Sequence, residues 1–335
     1  MKKILITSLA TSLLMFSCSK NDTVLSIGDS ELDIKISLPA DTKTKSVIFG
    51  TAFPSNSAIG VELLKFTDNS AYSSKTNIEF TTDGLGNWSS SENYILSPLK
   101  AKVYAYYPYQ SLADNTLPFY SVPISVETVA EHNSDIDYMY ATPVESEPAA
   151  VYNANNSINL NMNHSLTQIS FIVYKDNYSG SGNLSEFFIE DATPGNGLIL
   201  VNNTPSDFMM DIRDGVVTGG IEGVIERSLS TPIVIEEATT DPQFPSTDVD
   251  QLKSQVVSKG MSALIVPPGA VASGAVKFSF TIDGSTYSIS NTSAINWDRG
   301  KQYIYKIKLA GTSLSLASVT ITDWEAIPAD DVIIQ

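Results

Sequence analysis

The sequence feature that most constrains the fold of this chain is a strict alternation of apolar and polar residues in short runs. Leu32, Ile34, Ile36 and Leu38 are separated by single charged or polar residues, and residues 276–282 repeat the pattern. A period of two residues gives a β-strand one buried and one solvated face. These runs therefore predict half-buried strands.

Other segments add more strands and one short helix. Residues 102–107 and 169–174 are rich in β-branched and aromatic residues and predict more fully buried strands. Asp283-Gly284 lies between two alternating runs, which indicates a hairpin because both residues tolerate positive φ. Only residues 248–258 favour a short helix. Short strands with frequent turn residues are typical of β-sandwiches, so we predict an all-β, mostly antiparallel fold of two β-sandwich domains in tandem.

The predicted boundary between the two domains lies within residues 145–156. This stretch contains Pro148, small residues and a run of asparagines, and it lacks sustained apolar periodicity. The N-terminal domain is then expected over residues 46–150 and the C-terminal domain over residues 151–335, both within the usual size range of a domain.

The chain begins like an exported protein. Lys2 and Lys3 precede an apolar stretch that is too short to span a bilayer. It ends in Leu-Met-Phe-Ser-Cys, which resembles a bacterial lipobox, so residues 1–17 are predicted to be a signal peptide and Cys18 the lipidated residue. Two or three acyl chains anchor a protein stably where one does not. Cys18 is the only cysteine and has no disulfide partner within the chain; the alternative is a core cysteine after a plain secretory signal.

The charge of the chain excludes several kinds of partner. Loss of residues 1–17 removes two lysines and moves the formal charge from −17 to −19. Such an acidic chain argues against nucleic acid and against a basic patch on anionic lipid. Residues 19–22 resemble part of the polar tag that directs Bacteroidetes lipoproteins to the cell surface. We therefore expect a surface-exposed lipoprotein of the cell outer membrane.

No combination of residues in the sequence predicts catalysis or metal binding. His132 and His164 are the only histidines; His132 is expected in a polar loop and His164 at the start of a strand, and neither belongs to a zinc motif. Residues 28–30, Gly-Asp-Ser, resemble the nucleophile block of GDSL-type hydrolases, but the Asp-x-x-His partner of that family is absent. Acidic residues such as Asp135 and Asp137 lack the spacing of a Ca²⁺-binding loop. We expect no enzyme activity, no metal and no cofactor.

Seven short motifs follow one another along the sequence. Residues 43–46 read Lys-Thr-Lys-Ser and begin the series. The others are Tyr-Ala-Tyr-Tyr-Pro at 104–108, Asp-Tyr-Met-Tyr-Ala at 137–141, Asn-His-Ser-Leu-Thr-Gln-Ile at 163–169, Ala-Leu-Ile-Val-Pro-Pro at 263–268, Trp-Asp-Arg-Gly-Lys-Gln-Tyr-Ile-Tyr at 297–305 and Ile-Thr-Asp-Trp at 321–324. In sequence and in order, these motifs resemble those of the Bacteroidetes fimbrillin family, the type V pilins and their Mfa-like relatives.

The resemblance implies a fold and an assembly mechanism. Family members have two transthyretin-like β-sandwich domains and are exported as lipoproteins. A protease removes an N-terminal segment at a basic residue, and a C-terminal strand of a neighbouring subunit fills the groove that this exposes. An unpaired sheet edge is a template for another strand, so the mechanism is physically reasonable. The expected partners are other fimbrial subunits.

For each part of that mechanism the sequence offers candidates. Residues 18–45 form the segment that assembly is expected to remove. Lys45 stands where the family usually has the arginine that is cut, and Lys43 is the alternative processing site. An Arg-specific protease would not cut there, so either a Lys-tolerant protease acts or the subunit keeps its lipid as a basal anchor; a solvated basic loop is the alternative. The plug strand is Leu32, Ile34, Ile36 and Leu38 within residues 32–38, and the donor strand is Val332, Ile333 and Ile334 within the tail 328–335.

Two functions from different classes remain open. One is a structural subunit of a surface fimbria, shaft or basal anchor, that supports adhesion to a host or bacterial surface receptor. The other is a monomeric surface lipoprotein that binds glycan. Tyrosines and Trp88 are candidates to stack on sugars, although aromatics at alternate strand positions are more often core. A glycan binder is expected to display a cluster of exposed aromatics on one face.

Overall fold

The structure is a computed structural model. It describes residues 28–38, 53–112, 119–132, 134–141, 149–193, 195, 199–201, 208–265 and 269–324. The predictions for Cys18, Lys43, Lys45 and the tail 328–335 with Val332, Ile333 and Ile334 lie outside the described residues.

The regular secondary structure of the described residues is almost all β-strand. The strands up to the middle of the chain are β1 (Ser30–Glu31), β2 (Asp33–Ser37), β3 (Ala58–Lys65), β4 (Ile78–Thr82), β5 (Trp88–Ser89), β6 (Ile95–Leu96), β7 (Ala101–Tyr107), β8 (Ser121–Ile124), β9 (Val129–Glu131), β10 (Met139–Ala141), β11 (Ser157–His164), β12 (Thr167–Asp176) and β13 (Asn183–Asp191). The rest are β14 (Ile199–Val201), β15 (Phe208–Asp211), β16 (Val217–Gly219), β17 (Ile221–Glu222), β18 (Val224–Val234), β19 (Glu236–Glu237), β20 (Thr239–Thr240), β21 (Gln243–Phe244), β22 (Met261–Ile265), β23 (Gly269–Val271), β24 (Val276–Ile282), β25 (Ser285–Ser290), β26 (Ile295–Trp297), β27 (Lys301–Ala310) and β28 (Ser313–Asp323).

One helix, α1 (Val249–Lys259), occurs in the described residues, where the sequence favours a helix. Asp248 caps it, because its Oδ1 accepts a hydrogen bond from the backbone N–H of Gln251 at 3.0 Å. Leu252 and Val256 lie one turn apart and pack with Ile172 and Ile304 on the sheet that contains β12 and β27. The helix therefore covers the outer face of that sheet.

A seven-stranded sheet organises the N-terminal part of the chain, in the order β2-β11-β10-β7-β3-β4-β5. The pairings are antiparallel except for β2, which runs parallel to β11. The two edge strands, β2 and β5, also approach each other. The sheet therefore curls around its core, and β2 lies where the curled sheet closes.

Two sheets face each other in the C-terminal part of the chain. One has the order β25-β24-β13-β18-β9; the other has the order β19-β12-β27-β28, with β22 also paired to β12. Aromatic rings fill the space between them: Phe278 of β24 lies 4.7 Å from Tyr305 of β27, and Phe171 of β12 lies 5.1 Å from Phe280 of β24, centroid to centroid. This is sandwich packing, and it confirms the predicted all-β, mostly antiparallel fold class.

Strand pairing crosses the predicted domain boundary in both directions. β11 follows residue 150 but pairs with β2 and β10, whereas β8 and β9 precede it but pair with β15 and β18. β11 then passes into β12 through Ser165 and Leu166 alone. The domain bounds 46–150 and 151–335 stay a prediction.

The Asp283-Gly284 hairpin is confirmed. Asp283 and Gly284 have φ of 50° and 76°, and they join β24 to β25 in direct register. The left-handed conformation of both central residues matches the twist of the flanking strands. Asp283 also accepts hydrogen bonds from the backbone N–H groups of Gly182 and Asn183, at 2.8 and 2.9 Å, which tie the turn to β13.

Candidate functional site

The candidate site is the place that β2 occupies at the edge of the seven-stranded sheet. Leu32 and Ile34 are 2% and 3% exposed and belong to the core beneath the sheet, and Ile36 and Leu38 pack against that core while half-buried. The intervening Asp33 and Lys35 are exposed. The structure thus has the alternation that the sequence predicts, with the apolar face turned inwards.

Backbone hydrogen bonds hold this segment on both sides. β2 pairs in parallel with β11, from Asp33 opposite Ser157 to Ser37 opposite Asn161, and β1 pairs antiparallel with β6. Between them, the N–H of Leu32 donates to the carbonyl of Tyr94 at 3.0 Å and the N–H of Asp33 donates to the carbonyl of Asn156 at 2.8 Å. Residues 30–37 therefore connect β11 with β6, two strands that do not pair with each other in the described residues.

Side-chain amides add a second set of contacts, which we call the asparagine clamp (Asn93, Asn153 and Asn156). Asn156 Nδ2 donates to the carbonyl of Glu31 at 2.7 Å, and Asn93 Nδ2 donates to the carbonyl of Leu32 at 2.9 Å. Asn153 Nδ2 donates to the carbonyl of Gly28. All three hydrogen bonds are accepted by main-chain oxygens, so the clamp binds the backbone of an extended strand whatever its side chains are. Selectivity for particular side chains would come from the apolar pockets beneath β2.

A buried carboxyl group on β3 interacts with Tyr94, the residue whose carbonyl accepts from Leu32. Glu62 of β3 is fully buried; its Oε2 accepts hydrogen bonds from Thr76 Oγ1 at 2.7 Å and from the N–H of Asn77 at 2.8 Å. Burial raises the pKa of Glu62, and burial together with the charge of Glu62 raises the pKa of the Tyr94 hydroxyl. Tyr94 Oη donates to the carbonyl of Val61 at 3.2 Å. This polar cluster thus lies next to the residue whose carbonyl holds Leu32.

A second buried polar cluster, the tail-root junction, consists of Asp137, His164 and Trp324. His164 Nδ1 donates to Asp137 Oδ1 at 3.0 Å, with both side chains at most 3% exposed. The His164 ring stacks on the Trp324 indole, with centroids 4.0 Å apart and planes inclined by 14°. The expectation that His164 opens a strand is wrong: it ends β11, because the chain turns at Ser165 into β12.

The other candidate groups have structural partners. His132 is half-buried, its Nδ1 accepts from the N–H of Ser262 at 3.0 Å, and burial lowers its pKa. Asp135 forms a buried ion pair with Arg227, with Oδ1 2.6 Å from Nη2. In the Gly-Asp-Ser motif, Ser30 Oγ donates to the carbonyl of Asn153 at 2.9 Å, so its hydroxyl holds the edge segment in place.

Neither a metal centre nor a membrane helix is found within the described ranges. No three or more His, Cys, Asp or Glu side chains there are arranged to hold a metal ion. The same part of the chain has no helix that is long and apolar enough to cross a membrane.

Aromatic side chains do not form an exposed platform. Every Phe, Tyr and Trp in the described ranges is buried or half-buried. Trp88 of β5, a candidate to stack on sugar, packs edge-on against Phe53 with centroids 5.3 Å apart. The cluster of exposed aromatics expected of a glycan binder is therefore not among the described residues.

Sequence reasoning found the edge strand but missed the groups that hold it and the tail-root junction. In the sequence, the asparagine run near residue 153 indicates only a loop. Nothing local indicates that its side-chain amides donate hydrogen bonds to backbone carbonyls more than 120 positions earlier. His164 and Trp324 each lie in a recognised motif, yet their contact joins positions that only the folded chain brings together.

The comparisons with known proteins agree with this architecture. Among solved structures, a candidate cell adhesion protein from Bacteroides uniformis is 17% identical with a TM-score of 0.58, covering 89% of this chain and 99% of that one. A fimbrial protein from Bacteroides vulgatus is 13% identical with a TM-score of 0.54, covering 88% and 100%. At these identities the likeness concerns the fold alone. No curated protein matches the sequence.

The family comparison is more informative than the structural one. The profile of the fimbrillin-like family matches residues 42–324, which begin shortly after β2 and end at Trp324. The match covers most of the chain and contains both facing sheets and β11, the strand that pairs with β2. The chain belongs to the fimbrillin-like family.

Proposed function

We propose that this chain is a structural subunit of a surface fimbria, shaft or basal anchor, which polymerises by strand exchange and supports adhesion. The observation that carries the proposal is the position of β2, an edge strand that closes the curled N-terminal sheet and pairs with it along one side. Membership of the fimbrillin-like family supports it as well. So do the solved structures of similar fold, which are named as fimbrial or cell adhesion proteins.

Removal of β2 would create a site for another strand. The backbone of β11 from Ser157 to Asn161 would lose its partners, and the pockets of Leu32 and Ile34 would open to water. Each such side chain is worth about 1.5–3 kcal/mol when fully buried. A sheet edge with unpaired N–H and C=O groups above an open apolar pocket favours binding of a new extended strand.

Cleavage is the proposed switch. Before cleavage, β2 belongs to the same chain as the groove, so its binding is intramolecular and has an effective concentration of about 1 mM or more. Lys43 and Lys45 lie in the connection between Leu38 and Phe53. A cut at Lys45 or Lys43 would remove that advantage and let a strand from a neighbouring subunit compete for the groove.

The donor in this proposal is the C-terminal tail, residues 328–335, with Val332, Ile333 and Ile334 as its apolar strand. Donor and acceptor surfaces differ, so the contact is heterologous and extends into an open filament. The asparagine clamp supports this exchange because it binds main-chain carbonyls and therefore suits a strand of different sequence.

The lipid anchor at Cys18 links processing to position in the filament. A cut at Lys45 would separate Cys18 from the folded subunit and release it for assembly. A subunit that stays uncut would keep its acylated Cys18 in the outer membrane and serve as the basal anchor.

The mature N-terminus of the protein sheared from native cells tests the proposal. Mass spectrometry should find a start at Ser46 in high-molecular-weight material if the subunit is a processed shaft component. A start at acylated Cys18 at the base of filaments would identify the anchor. Acylated Cys18 in material that is monomeric only would overturn the proposal of a polymerising subunit.

A further inference from the structure

We propose that the tail-root junction (Asp137, His164 and Trp324) couples the groove filled by β2 to the start of the C-terminal tail within one subunit. The inference rests on the proposed function for the roles of groove and tail. Its physical basis is independent of that function, because it depends only on contacts within a single chain.

β11 is the element that the two sites share. Its residues from Ser157 to Asn161 pair with β2, and its last residue, His164, lies in the junction. A strand rises about 3.3 Å per residue, so the junction begins about 10 Å beyond the end of the pairing with β2. A displacement of β11 on loss of β2 would therefore reach His164 along one short, continuous strand.

Trp324 links the junction to the start of the C-terminal tail. It follows β28 directly, its N–H donates to the carbonyl of Gly300 at 3.0 Å, and its ring is 4% exposed. The N–H of Gly300 in turn donates to the carbonyl of Leu166 at 2.9 Å, just after the end of β11. Trp324, the last described residue before the tail, is thus fixed against the end of β11 by a ring stack and a short chain of backbone hydrogen bonds.

The junction is also poised to respond to small shifts. His164 Nε2 and Asp137 Oδ2 are buried and have no hydrogen-bond partner among the described residues. A buried polar atom without a partner lowers the stability of the arrangement that buries it. The stack and the Nδ1 bond therefore hold the junction, and loosening either one would weaken the contact between Trp324 and the end of β11.

Coupling of this kind is reciprocal. If occupation of the groove stabilises the position of Trp324, loosening Trp324 must weaken the groove by the same factor. In a filament, a subunit whose groove holds a neighbour's strand would then hold its own Trp324, at the start of the tail, more firmly. Such a subunit would be a better donor to the next one, which favours growth at one end.

Hydrogen–deuterium exchange on the uncleaved monomer from Ser19 onwards tests the coupling. In Trp324→Leu, the backbone amides of residues 30–37 and 157–164 should exchange about tenfold faster than in the unaltered chain, within the usual range of coupling between sites. The matched control is Trp297→Leu, because Trp297 is 1% exposed and lies in the C-terminal core with its Nε1 bonded to Tyr305 Oη at 2.9 Å. This control should accelerate exchange in the C-terminal sheets but leave residues 30–37 unchanged.

Unchanged exchange in residues 30–37 and 157–164 of Trp324→Leu, or equal acceleration in Trp297→Leu, would overturn the coupling. If Trp324→Leu does not fold, Trp324→Phe, which keeps a ring against His164, provides the same test with a smaller expected increase. The measurement needs no polymer. A chain that shows the coupling but never polymerises would refute the proposed function alone, and a chain that polymerises without it would refute only this inference.

Discussion

Buried charged and polar side chains depend on partners that distant parts of the chain supply. The guanidinium of Arg227 is fully buried and pairs with Asp135, 92 positions away, with Nη2 2.6 Å from Oδ1. Glu62 is also buried, and its Oε2 accepts hydrogen bonds from Thr76 and Asn77. Because a buried charge without a partner is costly, changes at these residues should have large effects on stability.

Glu62 should make stability depend on pH. Its pKa in the folded chain is raised, so ionisation disfavours the folded state; its stabilising contribution is complete below the ordinary value of 4.5 and is lost as pH rises through the folded pKa. Glu62→Gln keeps an oxygen that accepts from Thr76 and Asn77 but cannot ionise. Urea titrations at pH 4 and pH 8 give the free energy of unfolding of both chains, and the difference between them should shift in favour of Glu62→Gln at pH 8. An identical pH dependence would show that Glu62 does not titrate in this range.

Loss of Arg227 should be strongly destabilising. Arg227→Leu leaves the Asp135 carboxylate buried without its partner, and breaking a buried pair in this way costs about 3–5 kcal/mol. Lys259→Leu is the control, because its pair with Glu236 is exposed and worth about 0–1 kcal/mol. Chemical unfolding compares the two, and the double variant Arg227→Leu/Asp135→Leu should recover part of the loss. Equal, small effects at both sites would contradict the importance of the buried pair.

At the level of elements, the sequence was most informative where the signal is local. The hairpin at Asp283-Gly284, the helix near residues 248–258 and the alternation from Leu32 to Ile34 all depend on residues within a few positions of each other, and the structure confirms them. The partners of the strands were not predictable in the same way. Parallel pairing of β2 with β11 joins segments more than 120 residues apart, and only the closure of the whole sheet selects it.

β2 should stabilise the subunit through its inner face. Ile34→Ala removes a side chain that is 3% exposed and should lower the free energy of unfolding by about 2–5 kcal/mol. Lys35→Ala changes the exposed neighbour and should alter it by at most about 0.5 kcal/mol. Thermal or urea unfolding of the uncleaved chain measures both. If the two substitutions were equally mild, β2 would not be an integral part of the N-terminal core.

The whole molecule combines a curled sheet closed by β2 with a sandwich whose last strand, β28, ends just before Trp324. The resemblance to fimbrillins predicted this general plan, and the family match and the fold agree with it. The predicted division of the chain at residue 150 was drawn from a change in composition, whereas strands from both sides of that position cross over to pair. Composition indicates where the chain forms loops. Which strands pair across residue 150 depends on the packing of the folded molecule, which composition does not indicate.

Intermolecular disulfide formation tests most directly whether a neighbour's tail replaces β2. Both chains carry Cys18→Ser and a specific protease site in place of residues 43–46; one also carries Asn159→Cys, on the exposed face of β11, and the other carries Ile333→Cys. Paired cysteines need Cα atoms about 4.4–6.8 Å apart, a distance that adjacent strands provide. The account predicts a cross-linked heterodimer after cleavage and none before it. Absence of the cross-link after cleavage, or its equal formation in uncut chains, would contradict strand exchange at this groove.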